Sequence, residues 1–232
     1  MPSASEIVAA SRRALVKGIV FQGFLAGVLF GGSGDGRWGA AWLLLVIFLT
    51  AQVAAFREMQ LQPDLLVERS KLQPGTKPWD KLLVALLALV VPLLTWITAA
   101  LDHRFGWTGR EQIALVAAGF VLLAIGIKLT QWAVAANRFF AATVRIQSDR
   151  GQTVVSRGPY AYVRHPGYAG MLALMIGTPL ALGSRWALLP AAVGVVTLIV
   201  RTVLEDCTLQ AELAGYTDYI RRVRSRLVPH VW

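Results

Sequence analysis

The strongest constraint on this chain is the alternation of six apolar stretches with short cationic ones. The apolar segments run over roughly 15–30, 39–56, 82–101, 113–136, 168–183 and 186–204. A helix needs about 20 residues to cross the hydrocarbon core of a bilayer. The third and fourth segments meet that length, and the fifth, at about 16 residues, is marginal. Only Gly183-Ser184-Arg185 separates the last two, which predicts a tight antiparallel helical hairpin. The expected fold is therefore all-α: a polytopic membrane helical bundle of about six transmembrane helices, carrying a cytosolic loop and a C-terminal tail.

Charge agrees with this and gives an orientation. Apolar residues make up 56% of the chain and charged residues 16%, against about 25% charged in ordinary soluble domains. The net charge of +10 suits nucleic acid in principle. Here, however, the cations fall in clusters between apolar blocks, so membrane lipids, not nucleic acid, are the expected partner. With six spans, both termini and the second and fourth loops share one side. That side carries Arg12, Arg13, Lys17, Arg57, Arg69, Lys71, Lys77, Lys81, Arg138, Arg145, Arg150, Arg157, Arg164, Arg201, Arg221, Arg222, Arg224 and Arg226, 18 of the 23 cations. The other side has Arg37, Arg104, Arg110 and Arg185, and Lys128 falls inside a span. Such a bias predicts a multi-pass protein with cytoplasmic N- and C-termini, in the inner membrane if the source is prokaryotic. No cleavable signal is read at the N-terminus, and the first segment is expected to stay as an anchor.

Metal and disulfide chemistry find no support. Cys207 is the single cysteine, and His103, His165 and His230 show no ligand spacing. His103 reads as solvated, His230 as an interfacial tail residue, and Cys207 as packing. Asn137, Arg138 and Arg145 read as headgroup contacts. Trp38, Trp79, Trp107 and Trp186 fall near span ends, where tryptophan anchors at the interface. The polar loop 57–81 should lie along the membrane surface, with Pro63 opening a short helix that has acids in its first turn. Residues 1–136 form an N-terminal set of spans, and 137–232 a catalytic region.

Two polar motifs flank the last hairpin. The first is Gly158-Pro159-Tyr160-Ala161-Tyr162-Val163-Arg164-His165-Pro166-Gly167-Tyr168. Proline biases His165 away from helix geometry and is itself favoured in a first helical turn. The fifth helix thus opens beside His165 with backbone N–H groups able to meet a polar or anionic ligand. The second motif is Arg201-Thr202-Val203-Leu204-Glu205-Asp206. Arg201 and Glu205, at i and i+4, share a helix face. They either neutralise one another structurally or orient two ligands. Charges at the edge of hydrocarbon are costly and tend to mark function.

Together these motifs resemble the isoprenylcysteine carboxyl methyltransferase family, within the membrane methyltransferases that include phospholipid N-methyltransferases. The likeness rests on Gly158-Pro159-Tyr160, on Val163 to Gly170, on Arg201, Glu205-Asp206 and Leu209, and on Gly215-Tyr216, Tyr219, Arg222-Val223, Arg226-Leu227 and Pro229. It is specific over about 145–230 and general before that. The resemblance implies S-adenosylmethionine as methyl donor and a lipophilic acceptor, a carboxylate such as isoprenylcysteine or a related lipid, with no metal. It implies cofactor contacts at Gln147, Gln152, Thr153, Val154, Val155, Tyr160, His165, Pro166, Gly167, Tyr168 and Glu205, and Arg201 as the catalytic residue aiming the acceptor. Where the family often has two glutamates, the second acid here is Asp206, and its role stays open. A membrane sterol-type reductase using NADPH, which shares an Arg-His-Pro-x-Tyr element, and a non-enzymatic membrane scaffold are the competing readings.

Overall fold

A computed structural model describes residues 3–70, 73–109 and 112–232; Lys71 and Arg110, counted above among the cations, lie outside them. Among the described residues the fold is all helical, with no strand. Helix α1 (Ala4–Ser33) and α2 (Gly39–Gln60) form the first pair, and α3 (Pro63–Ser70) is the short helix foreseen in the surface loop. Then follow α4 (Pro78–Phe105), α5 (Ile113–Ala136), α6 (Pro166–Ala181), α7 (Leu188–Glu212) and the tail helix α8 (Tyr216–Arg222). Five of these, α1, α2, α4, α5 and α7, are long and apolar enough to cross a membrane. Helix α6 has 16 residues, the marginal segment of the sequence reading, and completes six apolar helices. The chain is a multi-pass integral membrane protein.

Local chemistry sets the ends and the one bend. Ser3 and Glu6 close a reciprocal capping box at the start of α1. In α4 the ladder widens to a π-turn over Leu86–Val90 just before Pro92. Proline lacks an N–H and clashes with the carbonyl four residues earlier, so the ladder must be reorganised at this point. The Val91 N–H reaches the Leu86 carbonyl instead.

The short α6 packs most intimately on the preceding helix α5. A Cβ at Gly119 would lie 2.2 Å from the Ala181 nitrogen, and one at Gly170 would lie 2.3 Å from the Thr130 hydroxyl oxygen. Small residues that let backbones approach are how membrane helices gain packing energy where lipid is as apolar as leucine. The hairpin between α6 and α7 is present, but this α5–α6 contact holds the short helix in place.

The bundle has two polar ends. At one, the start of α4, the end of α5, the start of α6 and the end of α7 meet the loop 137–165 and the tail. At the other, Trp38 is buried and stacks on His103, centroids 4.2 Å apart, while His103 pairs with Asp35 at 3.0 Å. Trp38 is therefore an internal wedge and not an interfacial anchor, and His103 is engaged where the sequence suggested solvation. Cys207 is exposed on α7, not packed in the core.

Candidate functional site

The first polar end holds a cavity with about 820 Å³ of space free of atoms, open solvent included. Loop residues 139–147 and 152–155 form one wall, Tyr160 and the α6 entry a second, α7 a third, and Leu213, Tyr216 and Tyr219 of the tail a fourth. Gln147, Gln152, Thr153, Val154, Val155, Tyr160, His165, Gly167, Tyr168, Arg201 and Glu205 all line it. Pro166 does not: it is buried as the first residue of α6. Gln147 reaches the wall with its amide already engaged, donating to the Phe139 carbonyl at 2.8 Å and accepting from Arg150.

The wall is held by buried ion pairs reaching across the sequence. Arg145 donates through Nε and Nη2 to Glu68 of α3, both at 2.8 Å, and through Nη1 to Asp149 at 2.8 Å. The hydrogen bond to Glu68 is the main cause that holds the Arg145 guanidinium protonated well above its ordinary range. Arg145 is thus a buried strut and not a headgroup contact. Arg138 remains exposed, paired with Asp64. Arg69 donates to the Phe140 carbonyl at 3.1 Å, so the surface helix α3 clamps the cavity loop twice.

Asp206 fastens the tail. Its oxygens accept from Arg164 Nε and Nη2, each at 2.9 Å, from His165 Nε2 at 3.2 Å, from the Tyr216 hydroxyl at 2.8 Å and from Arg226 Nε at 3.0 Å. The backbone N–H groups of Arg164 and His165 donate to the Ser225 and Arg226 carbonyls at 3.0 and 2.9 Å. The Tyr219 hydroxyl donates to the Tyr160 carbonyl at 2.7 Å. Burial pushes up the Tyr160 phenol, which accepts from the Asn137 amide at 3.2 Å, and burial followed by Asp206 does the same to Tyr216, which donates to Asp206. The residue left without a role by the sequence is the joint of α7, the α6 entry and the tail.

Arg201 and Glu205 share the cavity face of α7, but they are not partners. The Tyr168 hydroxyl donates to Glu205, and the Arg201 guanidinium lies 5.0 Å from the centre of the Tyr168 ring. Arg201 instead pairs with Asp80, Nε to Oδ1 at 2.7 Å. Self-neutralisation of the i, i+4 pair is thus replaced by a long-range ion pair, because both side chains have nearer or better-aligned partners on other helices. His165 stacks on Tyr168, centroids 5.6 Å apart and planes 6° from parallel. Its Nε2 is committed to Asp206, which fixes the ring against the cavity.

Sequence reasoning missed Asp80 and Glu68. Each lies in the N-terminal part, and each reads locally as an acid in or near a short helix. The available signal for Asp80 was an acid at the foot of a membrane span, where an uncompensated charge is costly. Among the described residues no group of three or more His, Cys, Asp or Glu side chains is arranged to hold a metal.

Residues 114–213 match the phospholipid methyltransferase family. The protein-S-isoprenylcysteine O-methyltransferase of Rattus norvegicus is 31% identical over 147 residues, 60% of this chain and 50% of that protein. The Mus musculus protein of the same name gives the same identity and coverage. That of Schizosaccharomyces pombe is 27% identical over 180 residues, 72% of this chain and 71% of its own. The chain thus spans about half the length of the two mammalian relatives. The resemblance drawn from the two motifs is borne out.

Proposed function

We propose that the protein, similar as it is to the isoprenylcysteine carboxyl methyltransferases, is a membrane methyltransferase that moves a methyl group from S-adenosylmethionine to a lipophilic carboxylate. One observation carries this reading: Arg201 and Glu205 of α7 border the same cavity as His165, 36 and 40 positions earlier in the sequence. The donor set fits the methyl donor. Glu205 is a carboxylate suited to its ammonium, and Val154, Val155 and Tyr160 offer apolar surface to a purine.

When bound, the donor supplies an electrophilic methyl on a sulfonium, whose departure as a neutral thioether needs no metal and no general base. The protein's work is then positioning and exclusion of water, worth up to about 7–11 kcal/mol in favourable cases. Glu205, steadied by Tyr168, holds the donor's charged end. Arg201 aims the acceptor. The tail helix, clasped to Asp206, forms one wall of the cavity. An apolar groove lined by Met171, Leu174 and Met175 of α6 with Leu87 and Val91 of α4 gives the acceptor's chain a place within the bundle. Met171 is one turn from Tyr168, so groove and cavity adjoin. The cation bias puts this end of the bundle, with both termini, on the cytoplasmic side.

The test is transfer of labelled methyl from S-adenosylmethionine by the purified chain in lipid vesicles, with prenylated cysteine and fatty carboxylates as acceptors. A base-labile ester is expected. Label that survives base moves the acceptor to an amine, the direction of the phospholipid methyltransferase match. Binding of NADPH in place of S-adenosylhomocysteine overturns the methyltransferase reading.

A further inference from the structure

The best edge of the Arg201 guanidinium is occupied before any ligand arrives. Nε and Nη2 donate to the two oxygens of Asp80 at 2.7 and 3.2 Å, and Nη2 also reaches the Ala142 carbonyl at 3.0 Å. Asp80 is wholly buried, and its Oδ2 accepts in addition from the Val144 N–H at 2.6 Å. Nη1 is the guanidinium nitrogen with no hydrogen-bond partner among the described residues, and Arg201 borders the cavity. We propose that Asp80 is a positioning residue that makes Arg201 grip an acceptor carboxylate by one oxygen, leaving the other oxygen as the nucleophile. This rests on the carboxylate acceptor proposed above.

The chemistry gives the arrangement its purpose. A free guanidinium meets a carboxylate with two parallel hydrogen bonds. Both oxygens are then tied down and their charge drawn toward the cation, which makes a poor nucleophile. In ester formation one carboxylate oxygen forms a bond to the methyl carbon as the carbon–sulfur bond breaks. The electron pair of the broken bond stays on sulfur, and no proton moves. One oxygen must therefore keep a lone pair free and aligned. By consuming the edge formed by Nε and Nη2, Asp80 leaves Nη1 as the one nitrogen to hold the acceptor, and its counter-charge weakens the pull on the attacking oxygen. The bond to Val144 ties this geometry to the cavity wall. A plain counter-ion to a buried arginine would stabilise the fold, but it would not separate acceptor binding from turnover.

That separation is the test. The full chain is assayed with N-acetyl-S-farnesylcysteine as acceptor, and with its carboxamide as a ligand that cannot be methylated. Asp80→Asn is expected to lower KM for the carboxylate roughly tenfold, since the released guanidinium can turn and offer a second charge-assisted bond. Turnover should fall about 100-fold, the scale of a misplaced reacting group. Calorimetry without methyl donor should show the carboxylate binding the variant roughly tenfold tighter, with carboxamide and S-adenosylhomocysteine affinities unchanged. Asp80→Glu keeps the counter-charge and displaces the fork by one methylene; it decides the matter if Asp80→Asn does not fold, and should lower kcat about tenfold at unchanged donor affinity. The proposal is overturned if Asp80→Asn raises KM as kcat falls, if donor affinity drops in step, or if Asp80→Glu keeps wild-type kcat. A wild-type protein that binds the donor yet methylates no carboxylate overturns the acceptor reading, and this inference with it.

Discussion

Helix α4 carries a buried aspartate near each end, and the two have different occupations. Asp102 is 3% exposed and accepts from the Thr108 N–H at 2.7 Å and from the Thr108 and Ser184 hydroxyls. Its donors are neutral, they come from the two turns that cover that end of the bundle, and the main cavity does not reach it. Asp80 is wholly buried too, but it accepts from a guanidinium and from a cavity-wall N–H. Burial and residue type are the same. What distinguishes a lock from a site is the partner's charge and the empty space beside it. A satisfied aspartate among hydroxyls closes a structure, whereas one that holds a half-free arginine at a cavity leaves something for a ligand to complete.

Four further substitutions sharpen or break this contrast. The largest effect should come from Asp206→Ala, which strands the buried Arg164 guanidinium, removes the partner of the half-buried Arg226 and detaches the tail. Losing one partner of a buried pair costs about 3–5 kcal/mol, and thermal denaturation should show the tail protected poorly or the whole chain unfolded. Next is Arg201→Ala: turnover should drop by about 100- to 1,000-fold, the scale of losing a preorganised donor, while S-adenosylhomocysteine affinity measured by calorimetry stays put. Wild-type turnover in this variant would remove Arg201 from the chemistry. Glu205→Gln should reverse that pattern, weakening donor binding roughly tenfold or more through loss of about 1.5–3 kcal/mol of charged hydrogen bonding, with a smaller change in acceptor KM. Smallest is Asp102→Asn. It should lower the melting temperature by the equivalent of about 1–3 kcal/mol and leave kcat and both affinities unchanged. If Asp102→Asn altered turnover at constant stability, the division between the two ends would fail.

Much of the architecture was legible because hydropathy and charge act locally. The six segments, the surface helix at Pro63 and the α6–α7 turn each follow from a short window of sequence; the fourth segment coincides with its helix, while α1, α2, α4 and α7 run on by several residues at one end or both. The motif residues also converge as their flanking helices demanded. What was not legible is who pairs with whom. Arg201 sits one turn from Glu205, and spacing favours that pair. The fold supplies Asp80 from 121 positions away with two-point geometry, and Tyr168 takes Glu205. Likewise Arg145 looked like one more surface cation until Glu68, 77 positions earlier, was found holding it in the wall.

The sequence alone determined that this chain spans a membrane several times, that its cations cluster between apolar segments, and that two polar motifs flank α6 and end α7. These depend on composition and on neighbours within a few turns, where periodicity and transfer free energy suffice. The tertiary structure decided that Asp206 is a joint, that α3 braces the loop, and that Asp80 commands Arg201. Buried charges must find compensation wherever the packed helices provide it, and that choice is made in space, between segments that no local pattern connects.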